Sequence, residues 1–485
     1  MRMQGKMNQY FINLSILLVA WGGLFRRSFN CDTLIHMVAA EDDILIQIQD
    51  GRYLTSLIDF ILLKLGLSTT THTGVTVITA LLLLALGLCF VQEGFFDKMQ
   101  AKTSMHTAGF TAITALLFVN VMFGENLMFS ECALVFGMAY LFASVGIYYF
   151  IRKKRIKAFA FILLSTTGYQ VAAVYAAIVL TAYIFLDNDY KITQKTVIEE
   201  IVCCLSTFGA GVLNIISYTL IAYAGVGGGL RKSAGTGILS EKLGEIINVY
   251  IALLKNSKGL LPNVGLPLLI SVFCISMLLY HFVKKKDKMA VLYFILLFFG
   301  LNVMIFVIPI LQQCIYMPPR IIWTFYAVQS MLLLVSLACV EGKLKRLVCY
   351  IGCGYLLIQI IFGNVIVANR TLSNNLDKLY ANMVYEKILK YEEEEKTQIT
   401  KLAVVNDVDC ALSYDEVHYK TDQINERALG IVTNTLMNVV TGRNFEKVPM
   451  DEEIYNTYFA GKNWDYFDAS EQLIIKDDTA YWVIF

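Results

Sequence analysis

This sequence has little charge for its length. Asp, Glu, Lys and Arg supply 16% of its 485 residues while hydrophobic residues supply 57%, against about 25% and 45–50% in soluble domains. With a mean hydropathy of +0.58, that imbalance excludes a soluble enzyme. The formal net charge is only +1, so no electrostatic case exists for nucleic acid as a partner. Histidine is scarce too: His72, His106, His281 and His418 are scattered, which leaves no His-based metal constellation. The phosphate-loop spacing G-x-x-x-x-G-K is also missing, because Val226-Gly227-Gly228-Gly229 followed by Arg231 and Lys232 has neither that spacing nor a preceding strand. A flexible outer lid is the expectation there. No small-x-small cleavage site follows the apolar stretch from Phe11 to Leu24, where Arg26 and Arg27 stand instead, so the N-terminus reads as an uncleaved first span. Cysteine is not lacking, but Cys89, Cys203, Cys204, Cys274, Cys339, Cys349 and Cys353 fall inside apolar runs and read as small packing residues. Cys349 and Cys353 share a helix face without His or further Cys nearby, which argues against a metal site.

What is present is a succession of apolar runs of the length needed to cross ~30 Å of hydrocarbon as helices, the only form in which an open chain satisfies its backbone in lipid. Basic clusters mark the cytoplasmic side. They are Arg2/Lys6; Arg152, Lys153, Lys154, Arg155 and Lys157; Lys284, Lys285, Lys286 and Lys288; and Lys343, Lys345 and Arg346. Holding all of them on one face requires an even number of spans between them. Spans are expected at 9–24, 74–92, 107–124, 129–150, 198–225, 261–282, 289–309, 321–340 and 347–367. The run from Ala158 to Leu186 carries Ser165, Thr166, Thr167, Gly168, Tyr169 and Gln170 at its middle, and parity makes it two short helices with an outward turn. Tyr53 to Leu67, with Asp59 and Lys64, is expected to lie along the interface rather than cross. The expected fold is an all-α polytopic membrane bundle of about eleven spans, multi-pass in the cell membrane, with N-terminus cytoplasmic and C-terminus extracytoplasmic.

On that topology the polar residues collect outside, in loop 25–52, Glu125 to Glu131, the Tyr169/Gln170 turn, loop 226–260 and Gln312 to Arg320. Beyond Ala368 the composition turns polar, with Glu392 to Glu395 as a charge run. Leu372 to Tyr391 has helical spacing, and Thr400 to Val405 and Gln472 to Phe485 read as short strands. Two parts follow: residues 1–367, spanning the membrane and including loop 25–52, and residues 368–485, a small extracytoplasmic α/β domain.

Four short motifs then stand in order along the outer loops: Asn30-Cys31-Asp32 with Gly51-Arg52-Tyr53, Glu125-Asn126-Leu127, Tyr169-Gln170, and Pro319-Arg320. In these the chain resembles the Gtr-type (Gtr II-like) bacterial O-antigen glucosyltransferases, polytopic enzymes similar to the GT-C superfamily. Where that family often shows adjacent acids, this chain has Asp32-Thr33. The resemblance does not reach the C-terminal part. It implies transfer of a glucosyl group from a polyprenyl-phosphate carrier to a cell-surface polysaccharide at the outer face of the bilayer.

That chemistry needs a carboxylate to take the proton of the attacking sugar hydroxyl, worth about 10²–10⁴-fold, and a cation where the phosphate leaves with growing negative charge. Because the isoprenoid tail stays in lipid, both must sit at the membrane boundary. Asp32 and Glu125 are the candidate acids; Arg52 and Arg320 are the candidate phosphate contacts, and Tyr169 and Gln170 the candidate sugar contacts. Each has a plainer reading. Asp32 solvates a loop, Arg52 snorkels at the head groups, and Tyr169 and Gln170 satisfy backbone groups at a helix break. His36, four residues from Asp32, fits a structural hydrogen bond to it better than catalysis. Glu41, Asp42 and Asp43 read as the wet face of an amphipathic helix. A divalent ion shared by Asp32 and Glu125 rests on two carboxylates alone, so the lipid-linked donor is the only cofactor-like molecule assigned. The rival class is a transporter or flippase of lipid-linked sugars, which places polar groups at midplane and shows repeated halves; neither is evident here. A membrane-anchored scaffold would leave the first loop unexplained, and a mannosyl- or aminosugar transferase or a glycan polymerase would need much the same residues.

Overall fold

The computed structural model describes the chain except residues 1–2, 27, 39, 68–71, 100–102, 226–238, 312–315, 407–416, 463, 465–466 and 485. It divides into two compact units, Met1–Arg27 with Glu41–Val365, and Ser28–Ala40 with Ile366–Phe485. The division falls inside one continuous helix, Gly342–Glu395, so the span expected at 347–367 and the helix expected at 372–391 are a single element.

The first unit is helical. Among the described residues, seven helices are long and apolar enough to cross a membrane: Thr73–Met99, Ala133–Ile151, Gln194–Tyr223, Leu266–Lys284, Lys288–Ile305, Pro319–Cys339 and Gly342–Glu395. The shortest of these, at 18 residues, is about 27 Å long at 1.5 Å per residue. Their burial sorts them. The apolar window of Pro319–Cys339 is 89% buried and that of Gln194–Tyr223 only 28%, so the first runs through the bundle interior and the second turns Leu205, Val212 and Leu220 outward. Beside Thr324–Cys339 packs Val171–Asp187, buried along every residue from Val171 to Leu186.

The run from Ala158 to Leu186 is two helices, Arg155–Thr166 and Val171–Asp187, as the polar residues at its middle require. The hydroxyls of Ser165, Thr166 and Thr167 donate to the carbonyls of Ile162, Leu163 and Leu164 at 2.6, 2.7 and 2.7 Å, so the turn carries its own hydrogen-bond partners. The run expected at 107–124 behaves differently. Its helix, Ser104–Ala115, stops short, and residues 116–123 form buried turns before a five-residue helix, Gly124–Met128. Backbone released inside an apolar interior needs partners, and two amides supply them. Asn120 accepts from the Phe123 N–H at 2.9 Å and donates to the Leu116 carbonyl at 3.0 Å, while Gln359 accepts from the Val121 N–H at 3.0 Å. Tyr53–Lys64 forms a 12-residue helix, well under the ~20 residues a crossing takes. Lys153 of the basic cluster pairs with Glu199 at 2.5 Å, and Lys98 pairs with Asp187 at 2.8 Å.

The second unit is α/β. Its strands β1 (Lys401–Asn406), β2 (Glu446–Val448), β3 (Leu473–Lys476) and β4 (Thr479–Ile484) form one sheet in the order β2-β1-β4-β3. Here β1 is parallel to both neighbours, and β3 and β4 form an antiparallel hairpin. Ala381, Val384 and Ile388 recur at helical spacing on the long helix and pack with Leu402, Leu436 and Trp482. Phe29 and Leu34 complete that core. Part of loop 25–52, grouped by sequence with the spanning region, is thereby built into the same unit as the C-terminal residues. The Phe29 backbone is gripped twice by Asn374, which accepts from its N–H at 2.9 Å and donates to its carbonyl at 3.0 Å.

Candidate active site

In the first unit the motif segments meet through hydrogen bonds. Glu125 sits on Gly124–Met128 with its side chain 1% exposed, and both oxygens are bound by Arg320. The Arg320 Nη1 donates to Oε1 at 2.7 Å and the Arg320 backbone N–H to Oε2 at 2.5 Å. The second bond is available because Arg320 lies in the first turn of Pro319–Ile322, where backbone N–H groups have no partner within a helix. The Arg320 Nη2 donates to the Tyr316 hydroxyl at 2.7 Å, and the guanidinium stacks 4.6 Å from the Phe129 ring centroid, a geometry that favours a cation.

The turn between the paired helices links this arginine to the other. The Tyr169 hydroxyl donates to the Arg320 carbonyl at 3.1 Å, and the Gln170 Nε2 donates to the Asp50 carbonyl at 2.8 Å. The Leu54 N–H donates to the Thr167 carbonyl at 3.0 Å. Arg52 stands between these last two anchors with its Nη1 on the Gln47 Oε1 at 3.2 Å. Gly51 precedes it at φ +73° and is packed against Asn214, whose Nδ2 donates to its carbonyl at 2.9 Å. A side chain there would be strained and would collide. Burial pushes the Tyr169 phenol above its ordinary range, against the pull of Arg320 and Arg52, and so keeps it a proton donor.

Rigid packing holds the acid in place. Gly124 lies on the Trp21 ring, where an added Cβ would come within 2.7 Å of it, and the Trp21 Nε1 is fixed on the Phe118 carbonyl at 3.0 Å. The Trp323 Nε1 donates to the Tyr140 hydroxyl at 2.9 Å, inside a cluster of Phe118, Phe123, Tyr140 and Tyr175 rings.

Asp32 belongs to the second unit. Its local geometry is that of a capped helix start: Asn30 Oδ1 accepts from the Thr33 N–H and hydroxyl, both at 2.7 Å, and the Leu34 N–H donates to the Asn30 carbonyl at 3.2 Å. This caps the helix Cys31–Val38 in the manner of an Asn N-cap. Asp32 falls in its first turn, at the end where the helix dipole favours an anion. The carboxylate is exposed, and its Oδ2 accepts from the Gln423 Nε2 at 3.2 Å. Next to it, burial and the nearby Glu426 push the Cys31 thiol up to about 12, so it remains protonated. His36 lies one turn along the same helix, buried.

Of the remaining candidates, Glu41, Asp42 and Asp43 lie on the helix Ala40–Gln49, their side chains outside the described residues, as is the glycine-rich stretch with Arg231 and Lys232. Among the described residues no group of three or more His, Cys, Asp or Glu side chains is placed to hold a metal ion. Sequence reasoning did not reach Tyr316, Gln423 or Asn374. Each is a single polar residue in an unremarkable context, with no spacing to mark it.

A family model described as Glucosyl transferase GtrII matches residues 23–337. The matched stretch contains Asp32, Arg52, Glu125, Tyr169, Gln170 and Arg320 and ends before Gln423. No curated protein and no solved structure matches the chain.

Proposed function

The chain belongs to the glucosyl transferase GtrII family, and on that premise we propose that it moves a glucosyl group from a polyprenyl-phosphate donor to a cell-surface polysaccharide at the outer face of the membrane. The observation that carries the reading is the joining of segments far apart in sequence, Glu125, Tyr169-Gln170, Arg320 and the Asp50–Arg52 stretch, by direct hydrogen bonds. A transferase using a lipid phosphate needs a fixed cation. Arg320 is held on three sides, yet its side chain keeps 15% exposure.

In the proposed step the Asp32 carboxylate takes the proton of an acceptor hydroxyl as that oxygen bonds to the glucosyl anomeric carbon. The bond from that carbon to the phosphate oxygen breaks, and its electron pair leaves on polyprenyl phosphate. Arg320 and Arg52, both in the first unit, are the cations proposed for the lipid phosphate, where a positive charge offsets the charge that develops as it leaves. In this reading Glu125, whose two oxygens both accept from Arg320, holds that arginine, and the base is assigned to Asp32. Tyr169 and Gln170 position the arginine segments, and His36 supports the helix that carries Asp32. The membrane arrangement proposed with it has about eleven spans, the helix Tyr53–Lys64 lying along the outer leaflet, and both carboxylates outside.

The test is transfer of labelled glucose from polyprenyl-phosphate glucose to surface glycan in membranes holding each variant at equal abundance. Asp32→Asn keeps size and hydrogen bonding but loses the proton acceptor, and activity falls by about two orders of magnitude or more. Near-normal transfer by that variant removes Asp32 from the mechanism. Failure of the parent protein with every polyprenyl-phosphate sugar would favour a flippase or transporter instead.

A further inference from the structure

The first-loop acid lies inside the family match and its hydrogen-bond partner lies outside it. Gln423 Nε2 donates to Asp32 Oδ2 at 3.2 Å, although residue 423 is well beyond the matched segment 23–337. Gln423 is itself fixed from behind. Its backbone carbonyl accepts from Nη1 of the fully buried Arg370 at 3.1 Å, and it lies between Thr421 and Ile424, which are paired by backbone hydrogen bonds of 3.2 and 3.0 Å. The next turn of chain is pinned as firmly: Asp377, also fully buried, binds Arg427 Nε at 3.0 Å and the Ala428 N–H at 2.8 Å. Arg370 and Asp377 stand on one helix, Gly342–Glu395, seven residues apart and so on one face at helical spacing. That helix also grips Phe29 through Asn374. It therefore fixes both ends of the contact, the start of the Asp32 helix and the loop bearing Gln423.

We propose that Gln423 is a positioning residue for Asp32: the C-terminal part of the chain supplies a preset amide donor that orients the Asp32 carboxylate for proton transfer. The proposal rests on the reading of Asp32 as the base. An exposed carboxylate in the first turn of a helix still samples several rotamers; one oxygen held by a fixed donor leaves the other presented in one direction. Catalysis gains from such fixed geometry, since small misplacements of a reacting group cost large factors in rate. A neutral amide serves this better than a lysine or arginine, whose charge would weaken the carboxylate as a base. The arrangement also assigns a use to a domain that the family resemblance leaves out.

The experiment is a double-mutant cycle in the full-length membrane protein, with transfer from polyprenyl-phosphate glucose as the readout. Equal membrane abundance and an unchanged protease-resistant C-terminal unit are checked for each variant. Gln423→Ala is expected to lower kcat about 10- to 100-fold, the scale of a hydrogen bond to a charged group, with KM for the donor unchanged. Gln423→Glu, which removes the donor and adds a like charge, is expected to fall further, and Gln423→Asn to recover part of the loss. In an Asp32→Asn background Gln423→Ala is expected to have no additional effect, because a residue that acts only through Asp32 has nothing left to position. Additive losses in the cycle, or kcat equal to the parent in Gln423→Ala, would overturn the proposal. Parent-like activity of Asp32→Asn would instead bring down the reading of Asp32 as the base, and the single variants separate the two failures.

Discussion

Arg320 binds Glu125 through two different parts of one residue, its guanidinium and its own backbone N–H. The side chain and the chain direction at Pro319–Ile322 are therefore set by the same carboxylate. A substitution at position 320 removes only one of the two bonds, whereas truncation of Glu125 removes both.

That asymmetry gives the first prediction. Glu125→Ala removes both bonds to a partly exposed arginine, and the thermal midpoint of the detergent-solubilised protein drops, by less than the about 3–5 kcal/mol that breaking a fully buried pair costs. Glu125→Gln retains shape and one acceptor, so it folds and loses roughly tenfold in transfer rate, less than Asp32→Asn does. A loss matching that of Asp32→Asn would mean that Glu125 takes part in the chemistry.

Arg320→Lys keeps a positive charge but cannot reach Glu125 and Tyr316 together, because it lacks the planar fork. Donor KM rises and part of the activity survives, while Arg320→Ala loses nearly all of it. Tyr316→Phe is the milder counterpart, removing one hydrogen bond to a charged group worth about 1.5–3 kcal/mol at most. Equal rates for Lys and Ala at position 320 would argue against a phosphate contact.

Gly124→Ala tests the support beneath Glu125. The new methyl would lie 2.7 Å from a Trp21 ring that its own hydrogen bond holds still, and overpacking of this kind costs about 1–3 kcal/mol. Unfolding midpoints should fall, and transfer activity with them. In a Trp21→Leu background the same substitution should be tolerated better, and an unchanged penalty there would show that the ring is not the obstacle.

The second unit carries a pH dependence that can be read locally. Burial alone would raise the Glu392 carboxyl, but the Arg443 guanidinium and the Ile399 N–H together outweigh it and hold the carboxyl below its ordinary value; the paired oxygens lie 2.6 and 2.9 Å from Arg443. A depressed carboxylate stabilises the fold above its unfolded value and loses that contribution as pH falls through the folded one. Because Glu392 also accepts from the Ile399 N–H at 2.7 Å, hydrogen exchange at Ile399, corrected for chemical rates, should accelerate on acidification below the ordinary glutamate range. Arg443→Gln should move that acceleration to higher pH, and an identical profile in the variant would contradict the pairing.

Topology has its own check. A reporter joined after Lys286 should be cytoplasmic and one joined to the C-terminus extracytoplasmic. Finding both on one side would break the parity by which the basic clusters were aligned.

Much of the helical layout was legible because it rests on composition and polarity. The break at Ser165 to Gln170 is written in hydroxyls that donate back to the preceding turn. The end of the helix at Ala115 was not legible: residues 116–123 are mostly apolar, and the amides that satisfy the broken backbone include Gln359, 238 residues from its partner Val121. The site shows the same contrast. Glu125 and Arg320 were visible as charges in segments between apolar runs, but their pairing spans 195 residues and has no local trace. Asp377 falls in the stretch read as a polar helix and Arg370 just before it, and the structure buries both completely. Charge buried in a pair is invisible to any local pattern, because its partner is chosen by the tertiary fold.

The inclusion of Ser28–Ala40 in the second unit also sets an order of events during biosynthesis. Phe29 and Leu34 are core residues of a unit whose other members begin at Ile366, so all of 41–365 must be synthesised before their packing surface exists. At about 5–20 residues per second, the helix bearing Asp32 waits roughly 15 to 65 seconds for the chain that will seat it. A truncated product lacking the last strands would insert its spans and still leave that helix with two apolar side chains and no core to bury them.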